Sequence, residues 1–260
     1  MKYIKESFST LKTRWPEVAM LIGLALALGV LNMNFFTIEK NNASPLPANV
    51  FLFLVITVFF LLFKLGFLST AHQSKDQPQQ PLALLKEGKR FLWRFVLLGM
   101  LYATVYFAAT LVILPFFASR DAIISNPEKL LPVLEKVSLI NYIIISFVLM
   151  KFIIFLPALV IVTDVTVPSS LGLLKYCKLK DAKALVVLFL TQMAINIMWM
   201  LLPDFGMESI YQKILLILPA IVNQGFTLII AVAAIRFVDD LNLLYDSENE
   251  SESDLTEGEN

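Results

Sequence analysis

The chain has 260 residues, of which 58% are hydrophobic and 16% charged, with no net charge and a mean hydropathy of +0.74. Soluble domains carry about 25% charged residues, so this composition excludes an ordinary soluble domain. A single cysteine, Cys177, excludes an internal disulfide and any paired-cysteine metal or redox motif.

The apolar residues fall in six blocks, 17–37, 49–69, 92–118, 139–163, 184–203 and 214–237. Each is near the ~20 residues that cross a bilayer as a helix. They are continuously apolar, whereas barrel strands alternate. Fold class is therefore all-α, with residues 1–238 forming a six-helix transmembrane domain.

In chain order, the first segment places Ile4, Phe8, Leu11 and Trp15 on one helical face and Lys5, Lys12 and Arg14 elsewhere. That pattern predicts an amphipathic helix along the membrane surface. No small-x-small site follows the first block, so no cleaved signal peptide is expected. After the second block comes the loop "STAHQSKDQPQQP", with His72 as a loop residue, and then "QQPLALLKEGKRFLW". In it Leu84, Phe91 and Phe95 align, as do Leu85 and Leu92, which predicts a second surface helix. A third is expected in "PSSLGLLKYCKLKDAKALV", with Ser169 or Ser170 as N-cap behind Pro168. The chain then reads as three units, each an elbow helix followed by a two-helix hairpin. Pro157 is expected to kink the fourth span, and Pro115 and Pro219 the third and sixth. The last 22 residues, 239–260, hold nine of the 21 acids and predict a disordered acidic tail. The body keeps all 21 basic residues with 12 acids, leaving it at +9.

Basic residues concentrate before the first, third and fifth spans: Lys2, Lys5, Lys12 and Arg14; Lys75, Lys86, Lys89 and Arg90; Lys175, Lys178, Lys180 and Lys183. By the positive-inside rule both termini face the cytoplasm. These segments are expected to meet anionic headgroups of the lipid bilayer. Lys64 and Arg236, near cytoplasmic span ends, are expected to snorkel, with Asp239 and Asp240 within a turn of Arg236.

The join "LPALVIVTDVTVPSSLGLLKYCKLKDAKALVVLFL" combines an apolar helix end, an Asp, a small-residue turn and a basic amphipathic stretch. It resembles the uncharacterised six-helix bacterial inner-membrane family typified by the enterobacterial protein YciC. It is also similar to the membrane domain attached to some glycerophosphodiester phosphodiesterases. The third span, within "KEGKRFLWRFVLLGMLYATVYFAATLVILPFF", fits the same layout. The resemblance implies a fold and an inner-membrane address, and no reaction, because the phosphodiesterase activity belongs to a soluble domain.

One lysine, Lys151, stands inside "LINYIIISFVLMKFIIFLPALVIV". A charge at the centre of a spanning helix costs about 2.5–3.5 kcal/mol on insertion scales. Amide partners at comparable depth are Gln192, Asn196, Asn223 and Gln224, which together with Lys151 make a candidate polar midplane cluster. It reads either as a structural clasp between helices or as a water-filled path for an ion or solute. No catalytic, cofactor-binding or metal-binding set is evident, and no basic face points to nucleic acid. The reading is a non-enzymatic inner-membrane protein supporting membrane or envelope organisation. Its alternatives are a small transporter or channel built on the Lys151 cluster, and a secreted effector inserted into a host membrane with the acidic tail as export signal.

Overall fold

The computed structural model of the chain describes residues 1–40, 47–73, 77–117, 127–201 and 210–241. Among them all regular structure is helical. The nine α-helices are α1 (Lys2–Thr13), α2 (Trp15–Lys40), α3 (Pro47–Gln73), α4 (Pro81–Phe117), α5 (Pro127–Val148), α6 (Met150–Val162), α7 (Val167–Leu173), α8 (Lys183–Leu201) and α9 (Ile210–Asp239). A single 3-10 turn, Leu174–Tyr176, extends α7. The acidic tail beyond residue 241 lies outside the described residues.

Four helices, α3, α4, α8 and α9, are long and apolar enough to cross a membrane. The count reaches six if each of two bent pairs is one span: α1 with α2, bent by 87°, and α5 with α6, bent by 62°. Large apolar side chains face outward along these helices, among them Phe51 (70% exposed), Val112 (66%) and Phe116 (81%). Water would not tolerate such a surface, whereas hydrocarbon is the matching solvent. The chain is an all-helical integral membrane protein.

The buried core gathers at one end of the bundle, where α9 packs against α1, α2, α3 and α6. Phe63 and Phe67 from α3, Leu84 and Phe91 from α4, Leu156 and Leu159 from α6, and Val232 and Ile235 from α9 meet there. Both described termini belong to this end, since Lys2 Nζ lies 2.6 Å from Asp240 Oδ2.

Two glycines draw α3 and α4 together. A Cβ on Gly66 would sit 1.8 Å from the Leu84 carbonyl oxygen, and one on Gly88 would sit 1.8 Å from that of Leu62. Only hydrogen fits at either crossing, so the backbones touch, as small residues allow in membrane helix pairs.

The three elbows differ. The first is a separate helix, α1, whose Ser7 and Thr10 point inward while Phe8 (54% exposed) points out, as does Trp15 (60%) at the start of α2. The second does not form as its own element. Its residues are the first turns of the 37-residue α4, because Leu84, Gly88 and Phe91 pack on α3 along one unbroken face. The third is α7, and it begins earlier than expected, with Thr166 at the N-cap position and Pro168 in the first turn, where the missing N–H costs nothing. The break in the fourth apolar block falls at Leu149, eight residues before Pro157, which lies inside α6. No proline or glycine marks Leu149. The contact beside it is the Tyr102 hydroxyl, donating to the Phe152 carbonyl at 2.9 Å.

Candidate functional site

The five residues of the expected midplane cluster do not form one group. Gln192 on α8 donates through Nε2 to Asn223 Oδ1 (2.5 Å) and Thr227 Oγ1 (2.8 Å) on α9. Thr227 in turn donates to the Asn223 carbonyl, closing a three-residue clasp between the two helices. Asn196, one turn further along α8, donates to the Tyr142 hydroxyl on α5 at 3.0 Å. Gln224 keeps a buried Nε2 with no partner among the described residues. Lys151 is half-buried two residues past the bend, and among the described residues it makes no hydrogen bond to any of these amides. Its charge acts instead on Cys177, beyond the 3-10 turn, opposing the burial that pushes that thiol up to about 11.

A denser polar group, unforeseen from the sequence, sits at the core end. Arg14, at the corner between α1 and α2, is fully buried and ion-paired with Glu17. Its guanidinium also donates to the Phe67 carbonyl (3.3 Å) and to Thr70 Oγ1 (2.7 Å), and lies 4.6 Å over the Phe67 ring. Glu17 Oε1 accepts the backbone N–H of Gln79 at 2.5 Å. One ion pair therefore ties the α1–α2 corner to the end of α3 and to the linker before α4. Burial lowers the Arg14 pKa, Glu17 raises it, and the like charge of Arg236 lowers it further.

Arg236 does not snorkel. It is 5% exposed and donates to Thr10 Oγ1 on α1 at 3.3 Å, because α1 covers the end of α9 that a bare span would leave to the interface. The Tyr3 ring meets Phe237 edge-on on the same seam. Asp239 faces His72 (3.6 Å), which belongs to the last turn of α3 and not to a loop.

The Asp of the family-like join is Asp164, just past α6. It holds a left-handed backbone (φ 54°), which Asp tolerates better than most residues. Arg90 and Arg94, one turn apart on α4, both bond its carboxylate, Arg94 at 2.6 Å. All three side chains are partly exposed, so this pair of bridges positions the turn more than it stabilises the fold.

The i, i+3 spacing of Arg14 and Glu17 was the available sequence signal for the buried pair. Nothing local marked Arg236 and Thr10 as neighbours, 226 positions apart. Among the described residues no group of His, Cys, Asp and Glu is placed to hold a metal ion. Compared with family models, curated proteins and solved structures, the chain matches none.

Proposed function

We propose that the chain is a non-enzymatic, multi-pass protein of a bacterial inner membrane, with both termini in the cytoplasm, contributing to membrane or envelope organisation. The observation that carries this reading is the use made of the polar residues within the spans. Gln192, Asn223 and Thr227 bond one another, and Asn196 bonds Tyr142. Side chains engaged in helix-to-helix bonds serve packing, whereas a solute path needs them turned toward water.

Other features support the address. The contact of Lys2 with Asp240 fits an even number of crossings, and the basic segments assign that side to the cytoplasm. Helix α1 turns Phe8 outward beside exposed Lys5 and Lys12, with Trp15 exposed just after it, which suits a helix seated among anionic headgroups. The YciC-like resemblance, which rests on the join after the fourth apolar block where Asp164 stands, implies the same address.

Deletion in the source bacterium tests the reading. Loss of the gene is expected to raise dye permeability or detergent sensitivity, with restoration by the intact chain but not by a Gly66→Leu form. A phenotype confined to uptake or efflux of one solute, with a normal envelope, would favour the transporter instead.

A further inference from the structure

Helix α1 docks on the bundle by a face that is not its apolar one. Its buried residues are Ser7 and Thr10, with Tyr3 and Leu11 partly covered, whereas Phe8 is exposed and Ile4 only half-buried. At about 3.6 residues per turn, the face of Ile4, Phe8 and Leu11 lies roughly a quarter turn from that of Tyr3, Ser7 and Thr10. Little apolar surface therefore holds α1 down. Its other ties to the end of α9 are the edge-on contact of Tyr3 with Phe237 and the exposed bridge of Lys2 to Asp240, and exposed bridges contribute little.

The docked position also buries a charge that nothing pairs. Arg236, in the last turn of α9, donates to Thr10 Oγ1 on α1, and its buried Nη1 has no partner among the described residues. The acids of this end are engaged elsewhere: Glu17 pairs with Arg14, Asp239 faces His72 and Asp240 bonds Lys2. Arg14 brings a second positive charge close enough for the two to repel. An arginine keeps its proton, so the surplus charge stays, and burying it unpaired opposes docking. Arg14 itself is pinned by Glu17, the Phe67 carbonyl and Thr70. That fixes the start of α2 and leaves the 87° corner after Thr13 as the pivot for α1.

We propose that α1 is a strap with two positions, docked on α9 or released onto the cytoplasmic surface of an anionic bilayer. On release Phe8 enters the acyl boundary, Lys5 and Lys12 meet lipid phosphates, and Arg236 gains water. The exposed residues of α1 include Lys2, Lys5 and Lys12 and no acid. Cations beside an apolar stripe are what an anionic membrane surface recognises. A helix of 12 residues is about 18 Å long, and one hinged to a spanning helix stays within reach of that surface. Release gives the apolar face a partner that the bundle does not supply, and relieves the burial of Arg236. The strap rests on the membrane-surface reading of α1 given above and adds a second position to it.

The test uses the full chain with Cys177→Ser and spin labels on Ser9→Cys and Lys180→Cys, both exposed positions. The protein is placed in nanodiscs of phosphatidylcholine with and without phosphatidylglycerol. Pulsed electron-spin distance measurement is expected to give one separation in phosphatidylcholine and a second with phosphatidylglycerol, which high salt removes. Arg236→Leu takes away the buried charge and is expected to shift the ratio about tenfold toward the docked position, the equivalent of about 1.4 kcal/mol. Lys5→Glu with Lys12→Glu, at exposed positions, is expected to abolish the second separation, and decides the question even if Arg236→Leu misfolds. One separation in both lipids, or populations unmoved by the lysine pair or by a folded Arg236→Leu, would overturn the proposal. A single label on Phe8→Cys separates the two ways of failing. If oxygen dissolved in lipid reaches that label while the separation never changes, the strap alone is overturned. If only a water-soluble nickel chelate reaches it in both lipids, the surface reading falls with it.

Discussion

The Arg14 guanidinium shows what a membrane protein does with charge at a helix corner: every side of it is covered, and its partner Glu17 is buried too. Breaking a buried pair strands a charge, at about 3–5 kcal/mol, while replacing both partners with apolar residues is often neutral. Glu17→Ala is therefore expected to lower thermal stability in detergent sharply, and Arg14→Leu with Glu17→Leu to recover most of the loss. Equal loss in the single and double variants would show that packing, not charge, dominates the corner. Cys177 has a different signature. Burial raises its pKa from about 9 to about 11, so the unfolded chain releases the proton first as pH rises. Its contribution is complete below about pH 9 and is lost between about 9 and 11. Cys177→Ala is expected to unfold with a flatter pH dependence than the parent across that window; identical profiles would contradict the burial seen here.

Helices α3 and α4 are joined by contact of backbones, and this sets the tolerance of the element. Alanine at Gly66 or Gly88 places a methyl where a carbonyl oxygen already is, so the hairpin must open. Overpacking of this kind costs about 1–3 kcal/mol or more. Each alanine variant is expected to melt well below the parent, whereas Gly99→Ala, with open space around it, should not. Existence and approximate place of these helices were legible, because a 20-residue apolar block has few other readings. The merger of the second elbow into α4 was not, since a basic amphipathic stretch looks the same whether it lies on a membrane or continues a span. The polar inner face of α1 was not legible either, because nothing local shows that Ser7 and Thr10 would meet α9. The outward Phe8 and Trp15 are what an amphipathic segment at the membrane surface presents to lipid.

For the whole molecule, sequence showed which polar residues enter the apolar blocks but not which of them meet. Gln192 with Asn223, and Asn196 with Tyr142, are pairings between helices that depend on rotation about each axis. Depth alone put Lys151 in the same group, yet the bend at Leu149 directs it toward the segment that carries Cys177. What results is a bundle stitched at one end by Arg14, Glu17 and Arg236 and held further along by amide clasps. That picture is of a membrane body whose polar side chains bridge its helices. The most direct measurement replaces Cys177 with Ser, introduces single cysteines at 192 and 223, and applies a membrane-impermeant thiol reagent to intact cells and to inside-out vesicles, with single cysteines at exposed Ser9 and Lys180 as controls. The account predicts that positions 192 and 223 stay unlabelled from both sides while the controls react; labelling of either one would show water between α8 and α9 and contradict it.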